Sequence, residues 1–311
     1  MKLYLALLLI TLSLSNSAAT LNEAREALAA KDYDAAEELF EELIEQPEKT
    51  AEQHFWFAHF SVKMTNQASI FTVASYASDA LEHYQKALEL EPSYIKARQG
   101  LIQFYTYAPG IAGGSYEKAY QEALRLQQDD ALLGAVAYFD VAVSDEDEKQ
   151  IAKAIAELLE HHGEEPRALV KIGSYHQLQE RYAYAHEFLS RAIRLKPTAD
   201  EQSERYIVSA KYQMAKTSAL SGEHLNESIA LMNNYLKLSD DYIREQNLPE
   251  REWGQYRLAQ LLEKKGEYSL ALKNTKSLLE SDLEDDRLRR YAKQLHRSLQ
   301  DEYDEQKEAS E

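Results

Sequence analysis

The feature that most constrains this chain is an internal repeat. Residues 166–197, PRALVKIGSYHQLQERYAYAHEFLSRAIRLKP, return in outline at residues 253–283, WGQYRLAQLLEKKGEYSLALKNTKSLLESDL. Each copy pairs a bulky residue with a small one (Ile172-Gly173; Leu258-Ala259) and places a Tyr ten residues on (Tyr182; Tyr268). An Ala follows after three residues (Ala185; Ala271), and an Ala or Leu after seven more (Ala192; Leu278). Apolar residues at three- and four-residue spacing make two amphipathic helices per copy, and the small side chains let the paired helices approach. Such a unit cannot bury its apolar face alone, so copies must stack on one another.

A period near 34 with this helix–turn–helix outline resembles the tetratricopeptide repeat, whose pattern ends in a Pro matched here by Pro197. The resemblance implies an all-α tetratricopeptide-type solenoid, an architecture that usually binds proteins rather than catalyses. About seven repeats are predicted. The first ends on a helix with Tyr33, Ala36, Phe40 and Leu43 on one stripe, stopped by Pro47. The second, Ala51–Pro92, follows the family pattern through Ala80, Tyr84 and Ala87 but carries an insertion, TNQASIFTVASY. The third begins at Ile95 and resumes at Tyr116 after a second insertion, and the fourth covers Asp130–Gly163 with Leu133-Gly134 as its bulky–small pair. The fifth and seventh are the clean copies, while the sixth, about Glu201–Asp240, keeps only the outline. The solenoid thus occupies residues 20–283. Residues 284–311 form a charged capping helix to about Tyr303 and a frayed acidic tail.

The first nineteen residues read as a secretory signal peptide: Lys2, an apolar run from Leu3 to Leu14, then Ser17, Ala18 and Ala19. Twelve helical residues span only about 18 Å, too short to cross a membrane. Cleavage is expected after Ala19, with Ala18 as the neighbouring choice, giving an exported, most simply periplasmic, protein without membrane insertion. The chain has no Cys, which removes disulfides, thiolate metal ligands and thiol nucleophiles. A formal net charge of −18 with no basic cluster repels phosphate backbones, so nucleic acid is not an expected partner.

Catalytic and metal motifs are incomplete. Ser93-Tyr94-Ile95-Lys96 spells SxxK, but its partner motifs are absent, and Ser93 after Pro92 is expected to cap a helix. His54 and His59, and the adjacent His161 and His162, lack the spacing of a helical zinc pair, and no HExxH occurs. Asp145-Glu146-Asp147-Glu148 lacks the EF-hand spacing and reads as a solvated turn. The segment Tyr107–Ser115, YAPGIAGGS, holds three of the ten Gly. It is either an elongated turn capped by Ser115, with left-handed glycines, or an anion cradle at a helix start serving an enzyme. No Lys-Ser or Lys-Thr follows it, as a Walker loop requires. No cofactor and no metal are therefore predicted.

In the resembled family the first helix of each repeat lines the concave wall. Taking Phe57-Ala58 as the bulky–small pair puts Phe55, His59 and Lys63 on that wall. Equivalent positions are Lys96, Gln99, Gln103 and Tyr107 in repeat three, and Arg167, Val170 and Ser174 in repeat five. These aromatic, amide and basic groups suit an extended peptide. The family's clamp for acidic C-termini is not matched, because it needs Asn and these faces have none. The expectation is a non-catalytic adaptor of the bacterial cell envelope that takes a protein or peptide in its groove. A permanent structural subunit of an envelope complex is the alternative, and packing between helices is the competing role for Phe55 and Tyr107.

Overall fold

The structure is a computed structural model that describes residues 19–69, 71–198 and 201–309, the side chain of Glu201 excepted. Apart from Ala19, the leader lies outside the described residues. Among the described residues the chain is all-α, and no helix is long and apolar enough to cross a membrane. It divides into two compact units at Ile151/Ala152.

The first unit holds α1 (Leu21–Ala29), α2 (Tyr33–Glu45), α3 (Ala51–Thr65), α4 (Val73–Leu90), α5 (Ile95–Tyr107), α6 (Tyr116–Asp129), α7 (Ala131–Ser144) and the start of α8 (Glu148–His162). The second holds the rest of α8, then α9 (Pro166–Leu178), α10 (Tyr182–Arg194), α11 (Glu201–Ser221) and α12 (Leu225–Tyr235). It continues through α13 (Asp240–Glu245), α14 (Arg251–Lys264), α15 (Tyr268–Glu280) and α16 (Asp286–Glu308). Helices pack as consecutive hairpins: α1 on α2, α3 on α4, α5 on α6, α9 on α10, α11 on α12 and α14 on α15. First helices also touch across the stack, α1 with α3, α3 with α5 and α5 with α7, which is the packing of an α-solenoid.

Local chemistry explains where the helices start and stop. Thr20 and Thr50 each close a capping box, with Glu23 and Gln53. Among the described residues five turns between successive helices share one form, built on a left-handed residue: Lys31, Glu146, Glu180, Asn247 and Gly266. In each the next amide reaches back five residues, as Asp32 N does to Ala27 O, Asp147 N to Ala142 O, Arg181 N to His176 O, Leu248 N to Ile243 O and Glu267 N to Leu262 O. This is a Schellman closure, and it repeats although four of its five left-handed residues are not Gly. Three hairpins lack it: the two with the insertions, and α11–α12. The first insertion shortens to a turn because VASY winds into α4, and the second forms a 3₁₀ turn at Gly110–Ala112.

The apolar stripes form the core, with Ala36, Phe40 and Leu43 fully buried beside Phe60 in the first unit. Ala185 and Ala192 are fully buried in α10, as their packing role requires. In α16 the stripe Leu288, Ala292, Leu295 and Leu299 is buried, and the helix runs past Tyr303 to Glu308 rather than fraying there. The short α13 is an addition to the sixth repeat; Arg251 fixes it by pairing with Asp240 and donating to the carbonyls of Leu236 and Leu238.

Candidate protein-binding site

Two clefts in the first unit are lined by four of the groove residues expected from the sequence: His59, Lys63, Gln103 and Tyr107. One, of about 530 Å³, lies between α1 and α3 and takes His59 and Lys63 together with Trp56. The Arg25 guanidinium lies 4.6 Å from the centre of the Trp56 ring and closes one wall. Burial, and then the Lys63 charge, hold the His59 pKa below its ordinary range.

The second cleft, of about 750 Å³, is bounded by the end of α3, the first half of α4, α5 and the glycine-bearing turn. Its wall is largely apolar: Val62, Val73, Ala77, Leu81, Phe104 and Ala112. Gln103 and Tyr107 line it, and at its edge Tyr107 is 70% exposed and Ile111 fully exposed. Large apolar side chains left in water beside an apolar groove are the usual mark of an interaction site.

The turn keeps this edge rigid. The amides of Ala112 and Gly114 both donate to Pro109 O, that of Gly113 to Gly110 O, and that of Ser115 to Tyr105 O. These four amides are spent on the turn itself, so they form no anion cradle. Gly113 has φ +101°, and a Cβ on Gly114 would stand 1.8 Å from Ala108 O, so each needs glycine for a different reason. Ser115 caps α6 by accepting from Lys118 N at 3.4 Å. Only one of the three glycines is left-handed, fewer than expected.

The remaining candidates are placed elsewhere. Lys96 is exposed and Gln99 half-buried on α5, and neither lines the two clefts. Phe55 is half-buried in an aromatic cluster with Trp56, Tyr84 and Tyr94, ring centres 5.5–6.2 Å apart, and joins α3 to α4 and to the start of α5. Arg167 and Ser174 are half-buried in the second unit, where Arg167 stacks 5.5 Å over Tyr206. Val170 is corrected from wall to core: it is buried, because the apolar face of α9 is wider than the three-residue count allowed. Ser93 is also corrected. It is exposed, and α5 starts at Ile95 after Tyr94 without any side-chain cap.

Several polar groups were not legible in the sequence. Arg98 and Glu122 are buried and paired at 2.6 Å, clamping α5 to α6, with the Pro92 carbonyl and Arg125 completing the cluster. His54 and His83 are buried with their Nδ1 atoms 2.7 Å apart. Burial, then the neighbouring His54, pushes the His83 pKa down to about 4. In the acidic turn Asp147 accepts from the amides of Lys149 and Gln150 at 3.0 Å and so caps α8. In the second unit His186, Glu223 and His224 meet, although 37 residues separate the first two.

No family model and no curated protein matches this chain. Among solved structures, the crystal structure of a tetratricopeptide repeat protein from Parabacteroides merdae ATCC 43184 is similar in fold. It aligns over 88% of this chain and 96% of its own, at 12% sequence identity and a TM-score of 0.48.

Proposed function

We propose that this protein is a non-catalytic interaction module of the bacterial cell envelope that binds an extended, apolar-bearing segment of another protein. The observation that carries the reading is the open cleft of α3, α4 and α5, edged by Tyr107 and Ile111. An apolar floor supplies affinity, while Gln103 offers an amide to orient a backbone. The net charge of −18 counts against nucleic acid as the occupant.

Export rests on the leader pattern. Ala19 adds a geometric reason for the cleavage point: it is buried, its N lies 3.0 Å from Glu42 Oε1, and its carbonyl accepts from Gln46 Nε2 at 3.0 Å. A product beginning at Ala19 would carry a free amine there and turn the first contact into a charge-assisted bond that a product beginning at Thr20 lacks, so the cut after Ala18 is the one whose product the fold holds better.

The test uses the mature protein immobilised as wild type, Tyr107→Ala and Ile111→Asp, each exposed to the same envelope extract. Both side chains are largely in water, so both variants should fold, and partner recovery should fall in each. Anchor residues at an interface typically cost about 2 kcal/mol or more on truncation, roughly a thirtyfold loss of affinity. Identical eluates from all three would remove the cleft from the binding function.

A further inference from the structure

The structure assigns a divalent transition-metal site to the second unit, formed by His186, Glu223 and His224 and suited to zinc. His186 projects from α10, and the other two residues occupy the turn between α11 and α12. One ligand atom from each lies within 4.8 Å of the others, and the two imidazole rings are 4.5 Å apart between centres.

What distinguishes this cluster from a chance grouping is the state of His186. It is buried, and its Nδ1 lies 3.0 Å from Met214 Sδ. A thioether has no proton to give, so Nδ1 must carry the hydrogen and donate it to sulfur. The neutral ring then keeps the lone pair on Nε2. That nitrogen lies 3.3 Å from Ser221 Oγ, at the turn that carries Glu223 and His224. Ser221 Oγ meanwhile accepts from Glu223 N at 3.1 Å, leaving its own hydrogen for Nε2. A ring fixed by a hydrogen bond donated from one nitrogen, with the lone pair of the other turned to the remaining donors, is the arrangement in which protein histidines hold metals; an ion here would take the place of the Ser221 hydroxyl on Nε2.

The turn supplies the other two donors from a constrained backbone. Gly222 has φ +80° and His224 φ +54°, left-handed conformations in close succession. His224 precedes α12 but makes no side-chain cap there. Its ring instead faces His186, and the Glu223 carboxylate completes the set. Two imidazoles and one carboxylate are borderline donors that suit zinc and its neighbours rather than calcium or magnesium. Tetrahedral zinc keeps its ligands about 2.0–2.2 Å away, so the exposed Glu223 and His224 would close in on the buried His186. Three protein ligands leave a fourth position to water or to a group from a partner. A bound ion would tie the α11–α12 turn to α10.

Calorimetric titration of the mature protein with zinc chloride, and with cobalt chloride followed by visible absorption, tests the site. One ion per chain is expected, with the cobalt spectrum of a tetrahedral centre and a melting temperature that rises with zinc. His224→Ala and Glu223→Gln change exposed residues, so the fold should persist in both. Each should weaken zinc by at least about tenfold and lose the thermal shift. A double variant, His161→Ala with His162→Ala, should bind as wild type. Failure to saturate at one ion per chain would overturn the assignment. So would affinity unchanged in both exposed variants, or lost only in the His161/His162 variant.

Discussion

Gly134→Ala is the sharpest probe of how the repeats hold together. A Cβ built on Gly134 would stand 2.2 Å from Gln127 N and 2.3 Å from Gln127 Cα, whereas ordinary contact begins near 3.4 Å. Those atoms are backbone of α6, so no side chain can swing aside. Nor can the helices slide apart freely, because Asp130 alone joins them, as last cap of α6 and first cap of α7. Parting them by about 1 Å would loosen the buried contacts of Leu126, Leu133 and Val136, in the range of overpacking costs of about 1–3 kcal/mol. With unyielding backbone the upper end applies. Ala gains about 1 kcal/mol over Gly in helix propensity, which leaves a net loss of about 2 kcal/mol. For a unit of this size that lowers the melting temperature by roughly 4–8 °C. Thermal unfolding followed by circular dichroism measures it, with Gly110→Ala as control, since nothing lies within 4 Å of that position and its φ is not positive. A Gly134→Ala melt at or above wild type would refute the close-approach argument.

Other outcomes follow from the buried polar groups and from Ala19. The folded pKa of His83 lies below its unfolded value of 6.5, so the unfolded chain takes up the proton first as pH falls. Stability should therefore be full above about pH 6.5 and decline toward about pH 4, and urea midpoints of His83→Gln should fall less steeply across that window. Coincident slopes would show that the pair does not couple to folding. Arg98→Met leaves the buried Glu122 with only the more exposed Arg125 as partner and should cost about 3 kcal/mol, the lower end of the range for breaking a buried pair, much of it restored by adding Glu122→Leu; equal melts for the two variants would contradict this. The intact mass of the exported protein should begin at Ala19, and Glu42→Gln should lower its melting temperature measurably. A mass beginning at Thr20 would show that the Ala19 contacts are not used.

What the sequence by itself determined was the repeating unit. Helices, their apolar stripes and the small residues at their crossings are set by contacts between residues three, four and seven apart, and these periods are written locally. Gly134, Gly173, Ala185 and Ala192 could thus be assigned to helix crossings from the sequence. The shared hairpin turn was harder to see, because Lys31, Glu146 and Glu180 adopt left-handed backbone without the Gly that would announce it. Tertiary structure decided everything that depends on which helix faces which. It divided the expected groove into one cleft with His59 and Lys63 and another with Gln103 and Tyr107, set Lys96 and Gln99 outside both, and buried Val170. It also brought Arg98 to Glu122, His54 to His83, and His186 to Glu223 and His224, pairs that lie 24 to 38 residues apart in the chain. A charged or imidazole side chain on a helix reads in sequence as a solvated one. Only the packing of another helix or turn against it, from the same hairpin or the next, removes the water and supplies the partner.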